Sequence, residues 1–486
     1  MTLKLLLTLT GLLLLATGIY HSCKPLPPGI RYEGEPAPLV NARLHTDTTM
    51  HHKDGSETRQ HEIFDEVFRL IAGAEQFVLL DMFLYNSTRP EGVPHRPLAQ
   101  QLTDTLIARK QSQSDMEIIV ISDPLNTMYG GTTSSFFKQL REAGITVVET
   151  DLRPLRDSNP TWSALWRVCC QWFGNNAQDG WLDNALGEHP VTLRSYLALP
   201  NFKANHRKLL VADHDGRLQA LVTSANPHDG SSRHSNLGLT FGGTAVADVL
   251  RSEQAVMAMS GEDDSILGPW IKLAQESRAQ EMPEGQKPHS GTLRLLTESA
   301  IRDKALDMID RAGKDDGVDM AMFYLSHRAI VQSLLAAHER GVGLRILLDP
   351  NNEAFGHQKS GIPNRQVAME LHRAGIPVRW CNTRGEQCHS KLLMLHPANG
   401  DTEILLGSAN LTRRNLDDLN LETDVWLSVA RESPLAGKAT SFFDSQWQAG
   451  PAEDPTLSLP YEAWADESSF KYWRYRLMEA SGLSTF

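Results

Sequence analysis

Two short strings in this chain put a lysine two residues after a histidine: His206-Arg207-Lys208 and His389-Ser390-Lys391. In an extended strand, residues two apart share a face, so each imidazole stands beside a fixed ammonium. That pairing suits a phosphodiester. The ammonium neutralises a non-bridging oxygen while the imidazole attacks phosphorus or protonates the leaving oxygen. The first string runs on to Asp213, which gives HxKxxxxD and is expected among the substrate-binding residues, whereas the second has His396 where the aspartate would stand. Further on, Ser224 and Asn226 in one half, and Ser408 and Asn410 in the other, offer polar contacts to phosphate oxygens. A lone HxK is most often a solvated strand histidine, but two in the same register carry weight.

The elements that must position these residues are also written twice. EIIVISDPLNTMYG (117–130) matches LRILLDPNNEAFG (344–356), QLREAGITVV matches ELHRAGIPVR, NHRKLL matches CHSKLL, and TSAN matches GSAN. The four matches keep their order, which marks an internal repeat. Upstream of each, a helical pattern leads into an apolar strand: HEIFDEVFRLIAGAEQFVLLDMF and RDKALDMIDRAGKDDGVDMAMFYL. In the second half, SLLAAHERGVGLRILLD predicts a helix ending near Gly341 and then a buried strand. Helices alternating with strands predict an α/β fold with mixed or mostly parallel sheets. The expected division is repeat one over 58–276 and repeat two over 293–450. A linker at 23–57, a polar linker at 277–292 and a tail at 451–486 complete it. Asp123 precedes His206 by 83 residues but Asp349 precedes His389 by only 40, so the first half carries an insertion near 151–199. It holds Trp162, Trp166, Trp172 and Trp181, and reads either as a lipid-facing lid or as a helical hairpin packed on the core.

With two HxK strings in register, each followed by Ser-Ala-Asn, the chain resembles the phospholipase D superfamily from about residue 58 to 450. The resemblance implies two pseudo-symmetric phospholipase D-type repeats, each a mixed sheet flanked by helices, sharing one active site at their interface. It further implies that His206 attacks phosphorus to form a phosphohistidine and that His389 protonates the departing alkoxide, then deprotonates water or an alcohol. Lys208, Lys391, Asn226 and Asn410 would hold the phosphate, with no metal and no cofactor. Both repeats lie in one chain, so no oligomer is required. Family members place a carboxylate twelve residues after the SxN asparagine, where it orients a histidine. That offset lands on Glu422 in the second half and on Gly238 in the first, so Glu422 is expected to orient His389. Such a partner favours the protonated acid, though it would equally make His389 the better nucleophile. Thr223 also departs from the usual glycine, while His228, Asp229, Arg233 and His234 are either substitutes for the missing carboxylate or a polar loop.

The rest of the chain bears on substrate. With 486 residues, two similar units are natural, and a net charge of −12 disfavours nucleic acid as partner. Lys4 followed by the uncharged, Leu-rich run Leu5–Tyr20 predicts a signal or membrane anchor over 1–22. With Lys4 inside, the body lies outside the cytoplasm, in the cell envelope. The pair His-Arg-Lys and His-Ser-Lys resembles bacterial cardiolipin synthases, which implies a phospholipid substrate and either hydrolysis or phosphatidyl transfer. A superfamily nuclease and an inactive membrane-bound scaffold are the alternatives. Cys381 and Cys388 would form a disulfide or remain two thiols, Cys169 and Cys170 are expected to be packed, and no spacing resembles a zinc site. The aromatic and basic FKYWRYRLME (470–479) reads as a membrane-resting or a docking helix.

Overall fold

The computed structural model describes residues 3–184, 187, 189–276, 291–354 and 357–484. Two mixed sheets, flanked by helices, dominate it. In the first, the strands run in the order 57–61, 40–51, 236–242, 217–223, 208–214, 77–82, 117–122, 146–149. In the second the order is 37–38, 291–297, 423–429, 402–407, 391–396, 317–322, 343–348, 378–381, 458–460. Seven strands correspond one to one in the same spatial order, so the repeat seen in sequence is a repeat of topology. Within each sheet the Asp-Pro strand pairs parallel with its two neighbours, 77–82 with 117–122 with 146–149 and 317–322 with 343–348 with 378–381. The remaining ladders are antiparallel.

Alternation along the strands that follow each HxK builds the core. Leu209 and Val211 meet Leu392 and Met394 in one cluster between the two sheets, while Leu210 and Ala212, and Leu393 and Leu395, face the outer helices. These side chains are essentially inaccessible, and burying each of the larger ones, Ala212 apart, stabilises by about 1.5–3 kcal/mol. The two sheets therefore share a central core, and the ends of their HxK strands meet at its edge.

The helix expected near 63 runs Ile63–Gly73, and those of the second half run Ser299–Arg311 and Arg328–Glu339. The expected linker 23–57 is instead structured. Ala37–Pro38 joins the second sheet and Val40–His51 the first. Its VNARLHTDTTMH pattern is half-polar because that strand buries only one face. Residues 277–290 of the expected 277–292 linker lie outside the described residues, while Gly291 and Thr292 already belong to a strand. At the other end, Leu3–Cys23 forms one apolar helix of 21 residues, longer than the sixteen-residue run and roughly 31 Å at about 1.5 Å per residue.

Candidate active site

The two histidines are delivered by exchange between the halves. The His206 N–H donates to the Leu421 carbonyl (2.9 Å), and the His389 N–H donates to the Ser235 carbonyl (2.8 Å). The two Asp-Pro aspartates fix the preceding residue. Asp123 accepts from the Asn205 N–H (2.6 Å) and Asp349 from the Cys388 N–H (2.8 Å). Each lysine is buried, donates to its own histidine's carbonyl (2.6 Å for Lys208, 3.0 Å for Lys391) and lies over a phenylalanine ring, Phe83 or Phe323. No further hydrogen bond to either ammonium occurs among the described residues, which leaves donors for an anion.

The orienting partners correct the expectation for Glu422. Its carboxylate meets His206 Nδ1 at 2.9 and 3.0 Å, across the repeat boundary, and does not orient His389. Instead His389 Nδ1 meets Asn236 Oδ1 at 3.0 Å. The ladders explain this: Gly238 lies opposite Thr223 while Asp424 lies opposite Gly407, so Gly238 corresponds to Asp424 and Asn236 to Glu422. Counting a fixed offset failed because Ser224 reaches Asn236 after 12 residues whereas Ser408 reaches Glu422 after 14. The same register accounts for Thr223. Its hydroxyl accepts the Ala225 N–H (3.1 Å), as the Asp424 carboxylate accepts the Ala409 N–H (3.0 Å). One half pairs a bulky residue with Gly238, and the other pairs Gly407 with a bulky residue.

Three further expectations change. Asp213 does not approach the cavity; it accepts the N–H groups of Glu75, Gln76 and Phe77, tying its strand to the next. His396, at the same place in the second sheet, bonds Asp319 at 3.0 Å. Ser224 and Ser408 donate to Asn236 (2.9 Å) and Glu422 (2.5 Å), so they hold the orienting residues and do not line the cavity. Asn226 and Asn410 do line it, together with both histidines, Phe83, Phe323, Tyr129, Tyr324 and Arg414, around about 630 Å³. His228 and His234 reach the same wall, but neither takes a carboxylate's place. Asp229 caps Ala99 and Arg233 pairs with Glu57, so this segment is a polar loop held in a buried network. Cys381 and Cys388 are joined, bracing the approach to His389, and Cys169 and Cys170 are joined where packing was expected.

Sequence reasoning missed Asn236, Phe83, Phe323 and Arg414. The Met-Phe pair shared by VLLDMF and DMAMF was a usable signal for the two phenylalanines. Arg414 has no counterpart in the first half to reveal it.

Burial and the neighbouring ammoniums of Lys208 and Lys391 push His206 well below the usual imidazole range. Burial, followed by Lys391 and then His234, does the same to His389. Burial lowers Lys208 to about 8 and lifts the Glu422 carboxyl to about 7, the latter against the pull of Lys208. The empty site therefore favours neutral imidazoles, and an anion between the lysines would restore a proton to one of them.

Residues 305–447 match the family model described as cardiolipin synthase, PLD-like domain. No curated protein sequence matches the chain significantly. Among solved structures it is similar to phosphatidylserine synthase from Haemophilus influenzae, at 11% identity and a TM-score of 0.54 over 97% of this chain and 96% of that one. The likeness is one of fold. Polyphosphate kinase from Porphyromonas gingivalis has 14% identity and a TM-score of 0.44 over 91% of this chain and 53% of that one, so this chain spans about half its length. Nuc, a phospholipase D family member from Salmonella typhimurium, has 21% identity and a TM-score of 0.27 over 34% of this chain and 98% of that one.

Proposed function

Because this chain has the phospholipase D-type fold, with a cardiolipin synthase-like domain over residues 305–447, we propose that it is a phosphodiesterase of glycerophospholipids working through a phosphohistidine. The carrying observation is the crossed pair of orienting contacts, which engages Nδ1 of both histidines and leaves each Nε2 for a shared cavity. His206 Nε2 attacks phosphorus as the bond to the leaving alcohol breaks, and His389 Nε2 gives that oxygen its proton. His389 then takes a proton from water or a lipid alcohol, whose oxygen attacks phosphorus and releases His206. Glu422 supports His206 as nucleophile, since the phosphorylated ring is cationic and a carboxylate stabilises it. The neutral Asn236 amide suits a histidine that must both give and regain a proton. Lys208, Lys391, Asn226 and Asn410 would neutralise and hold the non-bridging oxygens.

Aromatic cavity walls, the N-terminal apolar helix and the acidic balance of the chain favour lipid over nucleic acid. The helix fits a membrane anchor, and a body outside the cytoplasm suits the two disulfides. His206→Ala and His389→Ala should each abolish turnover of phosphatidylglycerol or phosphatidylethanolamine vesicles, with mass spectrometry of the products separating hydrolysis from phosphatidyl transfer. Full activity in either variant sinks the mechanism. Turnover of single-stranded DNA alone, assayed in parallel, sinks the substrate.

A further inference from the structure

The C-terminal helix Ser469–Ser481 docks on the body through one edge only. Tyr475 is buried, and Glu479 accepts the Arg413 N–H at 2.9 Å. Its opposite edge carries Phe470, Trp473 and Leu477, spaced three and four apart and 77%, 67% and 68% exposed. Residues so spaced form one stripe on a helix, and a soluble surface rarely leaves such a stripe uncovered.

Three observations say what covers it. First, Gly482, at the end of this helix, packs so closely on the Ser158 carbonyl that a Cβ would overlap it. The neighbouring Asp157 donates its N–H to the His21 carbonyl (2.9 Å) in the apolar N-terminal helix. The carboxyl ends of both helices are thus pinned to consecutive residues. If the N-terminal helix crosses a bilayer, the carboxyl end of the C-terminal helix sits at the membrane boundary. Second, residues 157 and 158 belong to the Trp-rich insertion, which exposes Trp172 and Trp181 (74% and 69%), residues suited to that boundary. Third, the helix carries Arg474, Arg476 and Lys471, the last paired with Asp466 just ahead of the helix, and its one acidic residue, Glu479, is buried. In a chain of net charge −12 this is a local apolar and cationic face. It complements anionic headgroups and would repel the same face of a second copy.

We propose that the C-terminal helix is a second membrane-contact element, lying in the interface of an anionic bilayer with Phe470, Trp473 and Leu477 turned into the acyl boundary. This does not depend on which reaction the cavity performs. The test uses the full chain with Cys23→Ser and either Phe470→Cys or Leu477→Cys. Each variant carries an environment-sensitive fluorophore and is inserted through its own N-terminal helix into phosphatidylcholine vesicles with or without phosphatidylglycerol. Both labels should shift to the blue and be strongly quenched by brominated acyl chains, more so with the anionic lipid, and Lys471→Glu with Arg474→Glu should reduce the quenching. Emission that stays red and unquenched overturns the proposal. So does a blue shift that needs no bilayer and grows with protein concentration, which would make the face a contact between copies. Neither result depends on turnover, so it is read separately from the assignment of the reaction.

Discussion

Glu422 and Asn236 stand at corresponding places in the two halves, yet one offers a carboxylate and the other an amide, each to the histidine of the opposite half. That difference in charge should separate the roles of the two imidazoles. Under the proposed mechanism Glu422→Gln would remove the charge that offsets a cationic ring on His206, and it is expected to lower kcat by about 10²-fold or more. Asn236→Asp places a carboxylate beside His389, and an opposite charge favours the protonated form. Its pKa rises, so the alkaline limb of the kcat–pH profile should move upward relative to the native protein. A limb that does not move would remove His389 from the role of acid. Arg414, in the cavity wall and stacked on Phe202 at 4.8 Å, adds a further cation acting on His206. Arg414→Gln is expected to raise KM by roughly tenfold, as for the loss of one charge-assisted hydrogen bond.

At the scale of elements, Asp47 shows how the strand 40–51 earns its place in the first sheet. One of its oxygens, Oδ1, accepts the N–H groups of Glu62 and Ile63, the first donors of the helix Ile63–Gly73, which has no side-chain cap of its own. Burial lifts this carboxyl to about 7 from an ordinary value near 3.8. A carboxyl raised on folding contributes stability that is present below its unfolded pKa and is lost as pH rises through about 7. Asp47→Asn keeps an oxygen for both donors but cannot ionise. Its stability should therefore fall less steeply than the native protein's between about pH 4 and 7, by up to about 1.4 kcal/mol per pH unit, measured by denaturant unfolding. This strand was not legible in the sequence, because a half-buried strand with one polar face alternates weakly and resembles a polar linker. The strands that carry the HxK strings were legible, since both faces are buried and each string occurs twice. The partner of each histidine was not legible. It lies 216 residues from His206 and 153 from His389, and the register depends on a loop two residues shorter in one half. Asp213 was legible as the end of the first HxKxxxxD string, but its bonds to three backbone N–H groups could be seen only once the neighbouring strand was in place.

For the whole molecule, the tie between halves passes through the residue between His206 and Lys208. Arg207 is wholly buried, donating to Glu253 at 2.8 Å within its own half and to Glu298 at 3.0 Å in the other. The same Glu298 oxygen accepts the Glu422 N–H at 2.9 Å, so this one network holds both the strand of His206 and the residue that orients it. Burial lifts Glu298 to about 7 against the pull of Arg207, which shows how much the carboxylate relies on its partner. Removing one member of a buried ion network typically costs about 3–5 kcal/mol, because the remaining charge is left without compensation. Arg207→Met should therefore destabilise the chain strongly in denaturant unfolding and weaken activity through Glu422. Adding Glu253→Gln and Glu298→Gln removes the stranded charges while leaving an oxygen for the Glu422 N–H, and should restore most of the lost stability. If the triple variant unfolds as readily as Arg207→Met alone, the junction is held by the packing of the arginine stem and not by its charge.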